Sequence, residues 1–182
     1  MIPQIVKQML TNAGYSPGGV AGIMGNSAQE SQFNPNAVGD SGNSYGLWQH
    51  SKDRKDALIQ YASALNMPPS DPRVQTAFTI NELQTKYPQL DQLLRSNVDP
   101  GRAAIAFGKI FERPNEQKAN WENRVAYAQQ IANGALPTAQ PSAQTSQVPQ
   151  RVIQQQQGDQ NGQEIRQDAN GKDATKGQET LL

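Results

Sequence analysis

Cysteine is absent from this sequence, histidine occurs once, and the acidic and basic residues balance at 16 each. Without cysteine no disulfide framework exists, and with His50 alone no zinc-ligand cluster can be assembled. A formal net charge of zero removes any case for bulk electrostatic binding to nucleic acid or to anionic lipid. No apolar run approaches the roughly 20 residues needed to span a bilayer. Aromatic residues are sparse, and every one of them lies before Ala135. What remains for chemistry is carboxylates, amides, hydroxyls and a few aromatic rings, with no cofactor or metal implied.

The stretch from Gly22 to Gln49 concentrates those groups. Ser16-Pro17 reads as an N-cap followed by proline in the first turn, and Val20, Ile23, Met24 and Ser27 recur at helical steps behind it. At about 100° per residue, Glu30 returns to within roughly 20° of Ile23, so its carboxyl points toward the apolar stripe. Partial burial raises a carboxyl pKa and keeps a proton available, which is the making of a general acid. The same pattern also fits a solvated or salt-bridged glutamate at a frayed helix end.

After Glu30 the helical pattern stops at Phe33-Asn34-Pro35-Asn36, and Gly39-Asp40-Ser41-Gly42-Asn43 is a run of turn formers. Ser44 to Gln49 then supplies Tyr45, Trp48 and a closing amide. The expected layout is a helix ending at the floor of a groove, with a short hairpin or irregular lobe as one wall. Tyr45 and Trp48 are candidates to stack on sugar faces and Gln49 to hydrogen-bond substrate, with packing in the core as the alternative for both rings.

Glu30-Ser31, Asn34-Pro35-x-Ala37, Gly39-Asp40 and Tyr45-Gly46-Leu47-x-Gln49 together resemble the signature of lysozyme-like muramidases, the goose-type lysozymes and lytic transglycosylases. The phage tail lysozyme family gives the nearest likeness. Phe78-x-x-x-Glu82-Leu83, Leu94-Arg95 before Asp99-Pro100, and Phe107-x-x-x-Phe111-Glu112-Arg113-Pro114 followed by Arg124 and Tyr127-Ala128 fit the same family. The resemblance covers roughly the first 134 residues.

It implies a mainly α, lysozyme-like helical domain over 1–134 that cleaves the β-1,4 bond between N-acetylmuramic acid and N-acetylglucosamine in peptidoglycan glycan strands. On that reading Glu30 protonates the leaving oxygen and then acts as base. Ser31 hydrogen-bonds the acid or the sugar, Gln49 holds substrate, and His50 touches substrate or sits on the groove rim. Asp40 is the first candidate for a second carboxylate and Asp53 the second. Trp48 and His50 flank Gln49 where transglycosylases tend to have other residues, and no Ala-Tyr-Asn motif follows. Hydrolysis is therefore preferred to a 1,6-anhydro product, and a non-catalytic virion scaffold is the remaining alternative.

Helices are expected over about 3–12, from Ser16 to the catalytic glutamate, over 52–67 with Ser51 as cap, from Asp71-Pro72 to Tyr87, through Leu90 to Leu94, from Asp99 to Arg113, and over about 116–132. Ala103, Ala104, Phe107, Ile110 and Phe111 mark the sixth as the central buried helix. Glu82 is expected to pair with Arg54, Arg73 or Arg113; Glu112 and Arg113 are expected to lock a helix end to a neighbour, and Arg124 and Arg113 to sit near the domain's acids. Met1 to Leu10 lacks the basic start and apolar length of a signal peptide. Residues 135–182, with Gln154 to Gln157 at their centre, lack the apolar content to fold alone and read as a disordered or extended tether. For a protein of this family, that suggests a virion component delivered to the host periplasm and docked to other tail proteins through this segment.

Overall fold

A computed structural model describes residues 1–136 of the chain. The expectation for the glutamine-rich tail falls, from residue 137 on, outside the described residues.

Proline and short polar caps set most helix starts. α1 is Ile2–Asn12 and α2 is Pro17–Ser31, whose cap Ser16 accepts a hydrogen bond from the Gly19 amide at 3.0 Å. α4 (Pro72–Lys86) begins behind Asp71, and α5 (Pro88–Arg95) behind Tyr87. α6 (Pro100–Phe107) begins behind Asp99, which accepts from the Arg102 amide at 2.9 Å. Between α2 and α4 lies α3 (Asp53–Ala64), and α7 (Trp121–Ala132) closes the described chain. No helix among the described residues is long and apolar enough to cross a membrane.

The central helix is α2, not the 99–113 segment. All ten residues from Gly19 to Ala28 are buried, because α1, α5, α6 and α7 surround it. Its glycines make that possible. A Cβ on Gly22 would lie 2.4 Å from the Ala103 Cβ, and one on Gly25 would lie 2.9 Å from the Ala128 amide nitrogen and the Arg124 carbonyl oxygen. The backbones of α6 and α7 thus rest directly on that of α2, as the glycine spacing suggests.

Three boundaries differ from the sequence reading, each for a local reason. Ser51 does not cap α3; it is paired in a strand, and Lys52 takes the cap position at φ 51°. α3 ends before Leu65, which is 47% exposed. The last helix starts at Trp121, after a short 3₁₀ turn at Glu116–Lys118. Beyond α6, Gly108–Glu112 widens into a π turn, closed by the Arg113 amide donating to the Gly108 carbonyl at 2.7 Å. That widening turns Ile110 outward, to 42% exposure, while Phe111 stays buried with its ring stacked on Phe107 at 4.5 Å.

The expected small lobe is a three-stranded antiparallel sheet. β1 (Val38–Gly39), β2 (Ser44–Tyr45) and β3 (His50–Ser51) lie in that order, with Val38 opposite Tyr45 and Tyr45 opposite His50. A short 3₁₀ turn at Asp40–Gly42 joins the first two, and Asp40 and Ser41 both take positive φ there. Buried Gln75 of α4 anchors the loop between the second and third. It accepts from the Leu47 amide at 2.8 Å and donates to the carbonyls of Pro35 and Pro69, each at 2.8 Å. Gly46, at φ 84°, is the one position where Gln75 can come this close, since a Cβ would lie 2.5 Å from its Oε1.

The close approach at Gly22 yields a signed expectation. Gly22→Ala should lower stability by about 1–3 kcal/mol, opposite in direction to the ~1 kcal/mol that alanine gains over glycine in an open helix. The midpoint of urea unfolding with an unchanged slope checks it.

Candidate active site

Glu30 stands in the last turn of α2, and α2 ends one residue later with Gln32 in the left-handed conformation. It is 21% exposed and opens into a groove of about 280 Å³. The groove is lined on the lobe side by Asp40, Ser44, Gln49 and Ser51, with the edge of the buried Trp48 among them, and on the other by Glu112, Arg113, Pro114 and Asn115. Two walls therefore meet at the end of α2, one from the β-lobe and one from the segment following the π turn.

The floor is held by a single buried arginine. Arg124 of α7, 1% exposed, ion-pairs with Glu30 through Nη2 and with Glu112 through Nη1. Nη1 also donates to the Asn26 side-chain oxygen, and Nε donates to the Ala119 carbonyl at 2.7 Å. Asn26 is fixed in turn, donating to the carbonyls of Gly22 at 2.8 Å and Ala104 at 2.9 Å. The expectation of a desolvated acid thus meets a pair of carboxyls on one cation. Burial first, and the charge of Glu30 second, hold the Glu112 carboxyl well above the usual carboxylate range, against the pull of Arg124.

The residues expected to contact substrate divide. Asp40 is exposed, lines the groove and accepts from the Ser44 hydroxyl at 2.8 Å. Gln49 also lines it, but its amide donates to the carbonyls of Gly46 at 2.9 Å and Ala37 at 3.2 Å, so that end of the side chain braces the lobe. Asp53 opens α3 and is not among the groove's lining residues.

Four assignments need correction. Trp48 is 1% exposed and donates its indole N–H to the Ile23 carbonyl at 3.2 Å, so its ring has no free face for a sugar. Tyr45 is half-buried against Leu58, Ala62, Val74 and Phe78, away from the groove lining. The Ser31 hydroxyl lies 3.1 Å and 2.9 Å from the carbonyls of Ser27 and Leu47 and serves those rather than the acid or a sugar. His50 is fully buried, edge-on to Phe78 at 5.2 Å and to Phe111 at 6.1 Å, with Thr79 at 3.3 Å. It offers substrate no surface.

Glu82, also fully buried, is met by Arg54 at 2.7 Å and by Lys86 at 3.0 Å, in line with a structural pairing. Arg124 does sit with the domain's acids and Glu112 does lock a helix end, as the sequence suggests; what the sequence reading missed is that one guanidinium joins Glu112 to Glu30 at the groove floor. Arg124 left a signal: it falls three residues after Trp121 and four before Ala128, on the apolar face of its own helix, where an arginine needs a partner. Glu112 stands in the Phe-Glu-Arg-Pro run, but its place in the clamp with Glu30 does not follow from an α-helical count, which omits the extra residue of a π turn.

The family model for phage tail lysozyme matches residues 3–134. The chain belongs to the phage tail lysozyme family. Among curated proteins, none matches it. Membership makes it a lysozyme-like, peptidoglycan-degrading virion protein, and the matched stretch takes in both walls of the groove and the Arg124 clamp. In this phage tail lysozyme the motif residue Ser31, together with Trp48, ties the lobe to α2, which fixes the wall that carries Asp40 relative to Glu30.

Two outcomes follow for stability. Arg124→Met leaves two carboxyls and Asn26 facing an apolar side chain, and should cost about 3–5 kcal/mol in denaturant unfolding, with part of the loss regained in the Arg124→Met, Glu112→Gln double variant. His50 behaves differently. Burial first, and then the charges of Arg54 and Lys86, depress its pKa well below the ordinary 6.5. The unfolded chain takes up that proton and the fold does not, so stability present above pH 6.5 falls as pH drops below it. His50→Gln should flatten the decline, read from unfolding midpoints at several pH values.

Proposed function

We propose that the groove cleaves the β-1,4 bond between N-acetylmuramic acid and N-acetylglucosamine, with Glu30 as the proton donor to the leaving oxygen. The observation that carries this reading is the position of Glu30: a carboxyl at the end of a buried helix, paired to a buried arginine and partly open to a groove with carboxylates on both walls. A group that must deliver a proton to a glycosidic oxygen needs to reach substrate and to be kept from full hydration. Glu30 meets both requirements.

Asp40 serves as the second carboxylate on this reading. It projects from the lobe into the same groove and is anchored through Ser44. The turn that carries it is built at a cost. Positive φ at both Asp40 and Ser41 is an unfavourable backbone choice for residues with a Cβ, and such choices gather at functional loops. Hydrolysis is preferred to intramolecular attack by the muramic 6-hydroxyl because the groove supplies this second carboxylate. The open groove suits a glycan chain that runs through it, and the protein would act on the wall during entry of the phage, as a virion component.

Mass spectrometry of the fragments released from purified Gram-negative sacculi tests the proposal. The wild type should release fragments with reducing-end muramic acid. Glu30→Gln should lower release by several orders of magnitude while keeping the wild-type circular dichroism spectrum. Ends of the 1,6-anhydro type would replace hydrolysis by transglycosylation, and no release by a folded wild type would leave a non-catalytic virion module.

A further inference from the structure

One buried guanidinium, that of Arg124, serves two carboxyls at the groove floor. Arg124 serves Oε2 of Glu112, while Oε1 of the same residue is buried and has no hydrogen-bond partner among the described residues. The Glu112 side chain is 4% exposed, against 21% for Glu30, yet both line the same groove, and the two carboxyls are held on the two terminal nitrogens of one guanidinium. A buried carboxylate oxygen with no donor is costly, and so are two anions side by side. One proton on Glu112, shared with Glu30, relieves both.

We propose that Glu30 and Glu112 hold a single exchangeable proton, with Glu112 as its resting place and Glu30 as the atom that presents it to the glycosidic oxygen. The proposal rests on the glycosidase reading and assigns Glu112 within it as a positioning residue. The pair enters the reaction with one proton on two carboxyls. As the bond from the anomeric carbon to the leaving oxygen breaks, its electron pair goes to that oxygen, which takes the proton from Glu30. Two carboxylates now face one arginine, and this excess of negative charge strengthens Glu30 as a base. When water bonds to the anomeric carbon, its proton returns to Glu30, and the pair is reset.

The other charged groups around Glu112 do not supply this function. Asp40 accepts from the Ser44 hydroxyl at 2.8 Å, and the Arg113 Nε donates to the Ile110 carbonyl at 3.0 Å. Arg54 donates to the Phe111 carbonyl at 3.0 Å, next in sequence to Glu112, but its guanidinium is committed to Glu82. His50 packs on Phe111 with its ring buried, and Lys109 lies over the Trp121 ring at 5.5 Å. Glu30 and Arg124 are therefore the partners that set the protonation of Glu112.

Glu112→Gln preserves an oxygen for Arg124 and offers Glu30 an N–H, but no proton. In the full-length protein, the alkaline limb of kcat/KM on sacculi should then move down by about one pH unit or more, about a tenfold loss on that limb, with activity returning at lower pH. A purely structural Glu112 would lower activity evenly across pH and leave the limb in place, which overturns the proposal. Infrared difference spectroscopy adds a readout that needs no turnover. The wild type should show a protonated-carboxyl band at neutral pH that disappears in Glu112→Gln, and in Glu30→Gln the band should titrate away at lower pH because the neighbouring charge is gone. A wild type without the band, or a band indifferent to both substitutions, overturns the shared proton. If the wild type releases no fragments, the glycosidase reading fails, while the infrared result still decides the proton.

Discussion

Arg124 is the interaction on which the site depends. A guanidinium buried to 1% exposure loses nearly all its hydration, and the structure returns that loss through Glu30, Glu112, Asn26 and the Ala119 carbonyl. Those partners come from different parts of the chain: Glu30 and Asn26 from α2, Glu112 from the π turn after α6, and Ala119 from the connection into α7. Both acids stand at the carboxyl ends of helical segments, where the backbone dipole disfavours negative charge. A single cation placed between two such ends compensates both. The same contact therefore assembles the helical core and sets the electrostatics of the groove.

The close approach of α6 and α7 to α2 makes this geometry attainable. Arg124 reaches Asn26 because its own carbonyl lies against Gly25, and Asn26 reaches the Ala104 carbonyl because Gly22 lets α6 close on the backbone. A side chain at either glycine would separate the helices and draw the guanidinium away from its acids. Glycines that look like weak helix formers in isolation are, in this setting, what allows a polar cluster to be packed without a void. Gly108 belongs to the same arrangement, since a Cβ there would lie 3.0 Å from the Asn26 oxygen and 2.7 Å from the Trp121 ring.

The helical domain, the small lobe and the place of Glu30 were legible because each has a local cause: caps followed by proline, a glycine-spaced apolar run, a cluster of turn formers. The lining of the groove was less so. Tyr45, Trp48, Ser31 and His50 are polar or aromatic residues close in sequence to the acid, and proximity suggested contact with substrate. Their direction is set by β pairing, by positive φ at Gly46 and Gln49, and by partners distant in the chain, Ile23, Val74 and Phe78 among them. A one-residue difference in a strand reverses the face a side chain presents, and no pattern over two-residue strands can specify it. Glu112 was read as a lock on a helix end, which its pairing with Arg124 bears out, but its share in the clamp that holds Glu30 was not legible. Its position follows from an extra residue in one helical turn, and helical periodicity assumes that turn away.

The π turn also joins the two buried charge clusters. On one side of it Phe111 packs against His50 and receives Arg54 both over its ring, at 4.1 Å, and on its carbonyl; on the other, Glu112 enters the Arg124 clamp. Arg54 is held by Glu82, and Glu82 by Lys86, so α3 and α4 bear on the backbone immediately before Glu112. The lobe, which forms the other wall, is fixed to α2 by Trp48 donating to the Ile23 carbonyl and by Ser31 of α2 donating to the Leu47 carbonyl. Each carboxyl at the groove floor is thus set by elements outside its own helix. Ser31 and Trp48 work as fixings of the groove walls, and the carboxyls those walls present are Glu30, Asp40 and Glu112.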